Sequence, residues 1–89
     1  MELNFNGSYS AIPARLKAAL TDYVNDRCPM GDFLTACVRN DLTGAVCRAD
    51  NESLAALKLI AHWLHNEAPM GCHGSREAVA AWLKGGSNV

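Results

Sequence analysis

Two polar steps, Arg39-Asn40-Asp41 and Arg48-Ala49-Asp50-Asn51, recur nine residues apart and set two guanidiniums and two amides at neighbouring turns. Guanidinium groups make paired, charge-assisted hydrogen bonds to phosphate, and an amide can read a base edge, so this spacing points to a phosphorylated ligand. The same residues also have a purely structural use. An arginine near a helix C-terminus complements the dipole, and Asp or Asn caps the helix that follows. A third polar stretch, Gly71-Cys72-His73-Gly74-Ser75-Arg76, opens a helix, where free backbone N–H groups and the following Arg76 make an anion cradle. It lacks the Gly-Lys-Ser/Thr core of a P-loop, and an ordinary Ser75 cap beside two glycines accounts for it equally. The candidate ligand-binding residues are Arg39, Asn40, Asp41, Arg48, Asn51, Ser75 and Arg76.

Other chemistry is weaker in the pattern. His62, His65, Cys72 and His73 are ligand types for zinc, and His-x2-His suits two neighbouring helical positions, yet no Cys-x2-Cys pair is present. No metal or other cofactor is expected. Cys72, next to His73 and near a helix start, is the one thiol with a case as a nucleophile, but adjacent residues seldom meet as nucleophile and base. The chain therefore reads as a non-enzyme. Cys37 and Cys47 fall on or beside apolar faces, and Trp63 and Trp82 fit apolar helix faces, with core packing the default and stacking on a ligand the alternative. The last helix resembles a helix-turn-helix reader only loosely, since one Arg and one Lys give it little grip on phosphate.

These residues need helices to position them. Residues 1–10 show no helical period and contain the turn signal Asn6-Gly7, which predicts an extended arm whose Leu3, Phe5 and Tyr9 are free to dock. Leu16, Ala19, Leu20, Tyr23 and Val24 recur at helical spacing behind Pro13 and predict a helix over about 13–26, ended by Pro29. Asp32 is the expected cap of a short helix with Phe33, Leu34, Cys37 and Val38 inward. Asp41 caps a second short helix carrying Leu42, Ala45, Val46 and Ala49, in which Gly44 lowers the propensity. Asp50 to Ser53 start a helix over about 52–66 whose Leu54, Leu57, Ile60, Ala61, Trp63 and Leu64 cover more than one stripe, which predicts a central helix packed on two sides. Ser75 caps a last helix with Ala78, Val79, Trp82 and Leu83 inward, stopped by Gly85-Gly86. With no period-two segment, the fold class is all-α: a bundle of about five short helices over 11–84, with an arm at 1–10 and a flexible tail at 85–89. Pro29-Met30-Gly31 and Pro69-Met70-Gly71 also stand 40 residues apart behind matching apolar positions, which reads either as a common helix connector between any two amphipathic helices or as a pseudo-repeat that would make the first and fourth helices equivalent.

The 89 residues are one small domain, 49% hydrophobic and 19% charged, with a formal net charge of -1. No global field would hold it on nucleic acid or an anionic membrane, so any anion site is local. A chain of this size buries only roughly 60–65% of its unfolded surface, and a partner subunit would help. Met1 to Ser10 carry no secretion signal and no run reaches membrane-spanning length, so the expected setting is reducing cytosol with Cys28, Cys37, Cys47 and Cys72 as thiols.

Pro29-Met30-Gly31-Asp32-Phe33-Leu34-Thr35-Ala36, Asn40-Asp41-Leu42, Arg48-Ala49-Asp50 and Gly74-Ser75, with Trp82, carry a resemblance to a group of small uncharacterised proteins encoded by tailed phages and prophages, over about residues 12–84. The resemblance implies an accessory protein in the bacterial cytoplasm and carries no mechanism with it. Small phage accessory proteins usually act by binding, which gives two expectations. One is an oligomer that sequesters a nucleotide-type immune signal among its arginines. The other is an inhibitor or regulator that binds a host protein through an exposed apolar or charged face. A DNA-binding regulator is a third, lesser reading.

Overall fold

A computed structural model of the chain describes residues 3–69 and 71–85. Met1, Glu2, Met70 and residues 86–89 lie outside it, and with them part of the second Pro-Met-Gly, Gly86 of the expected stop and nearly all of the expected tail. The described residues form a 3-10 turn, Gly7–Ala11, and five helices: α1 Ala14–Asp26, α2 Asp32–Val38, α3 Leu42–Arg48, α4 Asn51–Asn66 and α5 Arg76–Leu83. The fold is an all-α bundle.

Local capping chemistry sets most helix starts. The carboxylates of Asp41 and Asp50 accept from the N–H groups of Gly44 and Ser53 at 3.0 and 2.7 Å, and the Ser75 hydroxyl accepts from Ala78 N–H at 3.0 Å. Asp32 differs from expectation. Gly31 is the N-cap of α2 and Asp32 is its first residue, where the carboxylate still favours the dipole. The end of α1 is set before Pro29 is reached, by Arg27 in the left-handed region at φ 56°. The N–H groups of Arg27 and Cys28 close on the carbonyls of Tyr23 and Asp22. The Arg27 guanidinium then lies 3.9 Å from the centre of the Trp82 ring and donates to the Trp82 carbonyl at 2.9 Å, joining the end of α1 to the end of α5.

The amino-terminal segment, expected as an extended arm able to dock, turns at Gly7–Ala11 and docks on α4. Gly7 takes φ 62° to enter the 3-10 turn, and Phe5 stacks on Trp63 with ring centres 5.0 Å apart and an interplanar angle of 8°. Trp63 Nε1 donates to the Asn4 carbonyl at 2.8 Å. An indole N–H needs such a partner once its ring is buried, and the arm supplies it. The central place expected of α4 is observed, between this segment and α2, with Ala56, Ile60, Trp63 and Leu64 buried. Leu54 and Ala61, expected inward, are exposed.

Helix α3 departs most from its pattern. Only Gly44 and Ala45 are buried, Ala49 is half-buried, and Leu42 and Val46 are exposed, at 68% and 44%. Seven residues make two turns, so α3 rests on α2 by one narrow edge and leaves its larger apolar side chains outside. Gly44 has a steric reason that propensity hides: a β-carbon there would collide with the Asp41 carboxylate that caps the helix. A glycine inside a helix replaced by alanine ordinarily gains about 1 kcal/mol. Gly44→Ala is expected to raise the thermal midpoint not at all, because the cap is displaced. A rise of 4 °C or more in a melting curve would show that the carboxylate moves aside freely.

The two copies of the apolar pattern agree in burial but not in their connectors. At an offset of 40 residues the buried positions of α1 and α4 coincide: Leu16 with Ala56, Leu20 with Ile60, Tyr23 with Trp63, and Val24 with Leu64. The equivalence stops at the connector. Gly31 is extended at φ -68° and leads straight into α2, whereas Gly71 has φ 94° and four more residues precede α5. No helix among the described residues is long and apolar enough to cross a membrane.

Candidate functional site

The polar residues of interest meet at the carboxyl end of α2. Asn40 adopts φ 63°, a conformation asparagine tolerates better than most residues, and Asp41 N–H reaches back to the Ala36 carbonyl at 2.9 Å. This tight reversal sets Arg39 and Asp41 on either side of the turn and brings Arg48 back along α3. The second half arrives through a single backbone bond: Gly74 N–H donates to the Val38 carbonyl at 2.7 Å. Gly74 stands at φ 114°, which a residue with a β-carbon would strain to hold. That bond delivers the first residue of α5, Arg76, to the end of α2.

The result is a depression of about 150 Å³ walled by Asp32, Thr35, Arg39, Asp41, Arg48 and Arg76 over Ala36, with a mainly polar lining. Ion pairs among the described residues belong to Arg15, which meets Asp50 and Glu52 at 3.1 Å each. Among the described residues Arg48 has only a long bond to the Gly44 carbonyl, at 3.4 Å. The guanidiniums of Arg39, Arg48 and Arg76 thus keep donors for an incoming anion, in excess of the two carboxylates beside them.

Four of the residues singled out by sequence, Arg39, Asp41, Arg48 and Arg76, line this depression. Asn40, Asn51 and Ser75 do not. Asn40 turns the backbone and lines grooves beside Leu64 and His65, Ser75 is spent on its cap, and Asn51 is an exposed first residue of α4. Asp32 and Thr35 were not anticipated. Both face the depression because they lie on the same side of α2 as Arg39, at spacings of three and four residues, a signal readable only once the arginines are known to converge there.

The zinc-ligand types are divided by the fold. His65 and His73 share a groove with Cys37, whereas His62 lies with Ser8, Tyr9 and Lys58 and Cys72 is buried. No group of three or more His, Cys, Asp or Glu side chains gathers as metal ligands would among the described residues. Burial, then the nearby His65, holds the His73 imidazole below its usual value. Cys72 is not placed as a nucleophile: burial pushes its thiol up to about 11, so it is protonated at neutral pH. Cys37 is likewise pushed up to about 12 by burial, while Cys47, expected beside an apolar face, is exposed. Trp63 is a core residue, and Trp82 is half-buried against Tyr23 with the Arg27 guanidinium over its ring.

Compared with protein-family models, with curated proteins and with solved structures, the chain matches none.

Proposed function

We propose that this chain is a non-enzymatic accessory protein of a tailed phage or prophage that binds and sequesters a nucleotide-type immune signal in the bacterial cytoplasm, as a small oligomer. The observation that carries the reading is the convergence of Arg39, Arg48 and Arg76 from three different elements on one small depression. Three guanidiniums brought together at an exposed surface repel one another, and an anion relieves that cost while satisfying their donors. At about 150 Å³ the depression holds a phosphoryl group and little more, since pockets for whole small molecules run to roughly 300–1,000 Å³.

The oligomer rests on the small size of the chain and on the exposed Leu42 and Val46 of α3 and Leu54 of α4, apolar side chains that a second copy would cover. The same exposed side chains are what favour the second reading, an inhibitor or regulator that binds a host protein.

Native mass spectrometry of the protein recovered from infected cells tests both. An oligomer carrying a nucleotide mass is expected, and a bare monomer or a complex with a host protein would move the function to the second reading. In the purified protein, Arg39→Ala and Arg48→Ala are each expected to weaken phosphate binding about tenfold or more at unchanged helical circular dichroism, as the loss of one charge-assisted bond implies. Unfolding of either variant would assign the arginine to structure.

A further inference from the structure

The arginine depression does not stand alone. A second depression of about 340 Å³ adjoins it and shares two of its walls, Asp32 and Arg48. Its character differs: Ala19 and Phe33 contribute apolar surface, and Ser53 and Asp50 contribute polar groups that Arg15, also in its lining, already engages at 3.3 and 3.1 Å. The two depressions meet at Asp32 and Arg48, a small cationic end and a larger end of mixed polarity, with a carboxylate at the junction. Among the described residues the Asp32 carboxylate takes part in no ion pair and caps no helix, unlike Asp41 and Asp50.

Building on the anion-binding reading above, we infer that the ligand is a ribonucleoside 5′-monophosphate, or a molecule ending in one. The phosphoryl group sits among Arg39, Arg48 and Arg76. The ribose diol donates to Asp32, and the base lies on Ala19 and Phe33. Each part follows from chemistry. A terminal phosphate presents the acceptors that three guanidiniums can share. A carboxylate next to a phosphate site is the natural acceptor for vicinal hydroxyls, as in dinucleotide-binding folds where an acidic side chain takes the ribose 2′-OH. The larger depression reaches the size of ordinary small-molecule pockets and offers the partly apolar surface that a base requires.

The fold supplies a clean way to block the larger end. Gly31 is extended, at φ -68°, and a β-carbon built there meets no atom within 4 Å. Gly31→Phe therefore places a large side chain at the margin of the larger depression with no clash at its β-carbon and no backbone strain. The probes are inorganic phosphate, adenosine 5′-monophosphate and its 2′,3′-dideoxy analogue, measured by calorimetry on the purified chain. The parent protein is expected to bind the monophosphate at least tenfold more tightly than phosphate and than the dideoxy analogue. Gly31→Phe should weaken the monophosphate at least tenfold and leave phosphate unchanged, and Asp32→Ala should erase the preference for the ribose. If phosphate binds, Arg39→Ala weakens it, and the monophosphate gains nothing over it, the inference is overturned while the arginine site stands. If neither phosphate nor the monophosphate binds, both fall.

Discussion

Trp63→Ala is expected to cost about 3–5 kcal/mol, the range for removing a large buried aromatic side chain. A chain of 89 residues has about 5–13 kcal/mol in total, so the variant retains at best a fraction of its stability. Three features place Trp63 at the top. It has no exposed surface, its ring is stacked on Phe5, and its N–H is bonded to the Asn4 carbonyl. Its loss therefore opens a cavity in α4 and also releases the amino-terminal segment that covers that helix. Urea unfolding checks the magnitude, and limited proteolysis checks the release, with new cleavage expected near the 3-10 turn. Trp63→Phe should cost distinctly less, since a ring remains to stack on Phe5 and only the bond to Asn4 and the extra volume of the indole are lost. A loss below about 1 kcal/mol for the alanine variant would show that the segment does not close the core.

This dependence was only partly legible in the sequence. Helical spacing is a local property, and so are caps, which is why α1, α4 and the caps Asp41, Asp50 and Ser75 read directly from residue order. Leu3, Phe5 and Tyr9 marked the first residues as able to dock, but nothing local says that Phe5 faces Trp63, 58 positions away. In α3 the spacing of Leu42, Ala45, Val46 and Ala49 is that of a buried stripe, yet a two-turn helix shows its neighbours only one edge, and which edge is decided by α2. The end of α1 was assigned to Pro29, whereas Arg27 ends it in a conformation that its contacts with Trp82 sustain.

The arginine depression follows the same rule. Arg39 and Arg48 were paired by spacing across one turn, but Arg76 joins them only through the bond from Gly74 to Val38, 36 residues apart in sequence. No pattern announces such a bond. The two glycines of Gly71-Cys72-His73-Gly74 were the available hint that the backbone there needs unusual angles, and Gly71 and Gly74 do have positive φ. Asp32 was read as a cap, and the shift of the cap to Gly31 is what leaves its carboxylate available at the junction of the groove.

Raising the pH above 9 is expected to unfold the protein progressively, through groups that the fold keeps protonated. Burial is the first cause in each: it pushes the Cys72 thiol up to about 11, the Cys37 thiol up to about 12 and the Tyr23 hydroxyl up to about 12. Ordinary values in an unfolded chain are 9.0 for the thiols and 10.0 for the hydroxyl. Between pH 9 and about 11 the unfolded chain has therefore lost protons that the native chain retains. Stability falls with pH wherever the unfolded state binds fewer protons, so the stabilising contribution is complete below 9 and is lost as pH rises through the native values. Each tenfold of suppressed ionisation is worth about 1.4 kcal/mol, which gives about 2–3 kcal/mol for each of the fully buried Cys72 and Tyr23. The two are coupled in space, because Tyr23 donates its hydroxyl to the Cys72 carbonyl at 2.6 Å and so clamps the loop that carries Gly74. In the native chain the Tyr23 hydroxyl keeps its proton up to about 12, so the clamp opens only as the fold does, and phosphate affinity should fall together with helical circular dichroism. Urea unfolding at intervals from pH 7 to 11 measures the slope, and Cys72→Ala should make it shallower. Thiol alkylation at pH 8 gives an independent reading, with Cys28 and Cys47 reacting fast and Cys37 and Cys72 slowly, in line with their exposure. A stability that stays flat from pH 8 to 11, with all four thiols reacting alike, would mean that the loop between α4 and α5 opens freely and does not hold Arg76 in place.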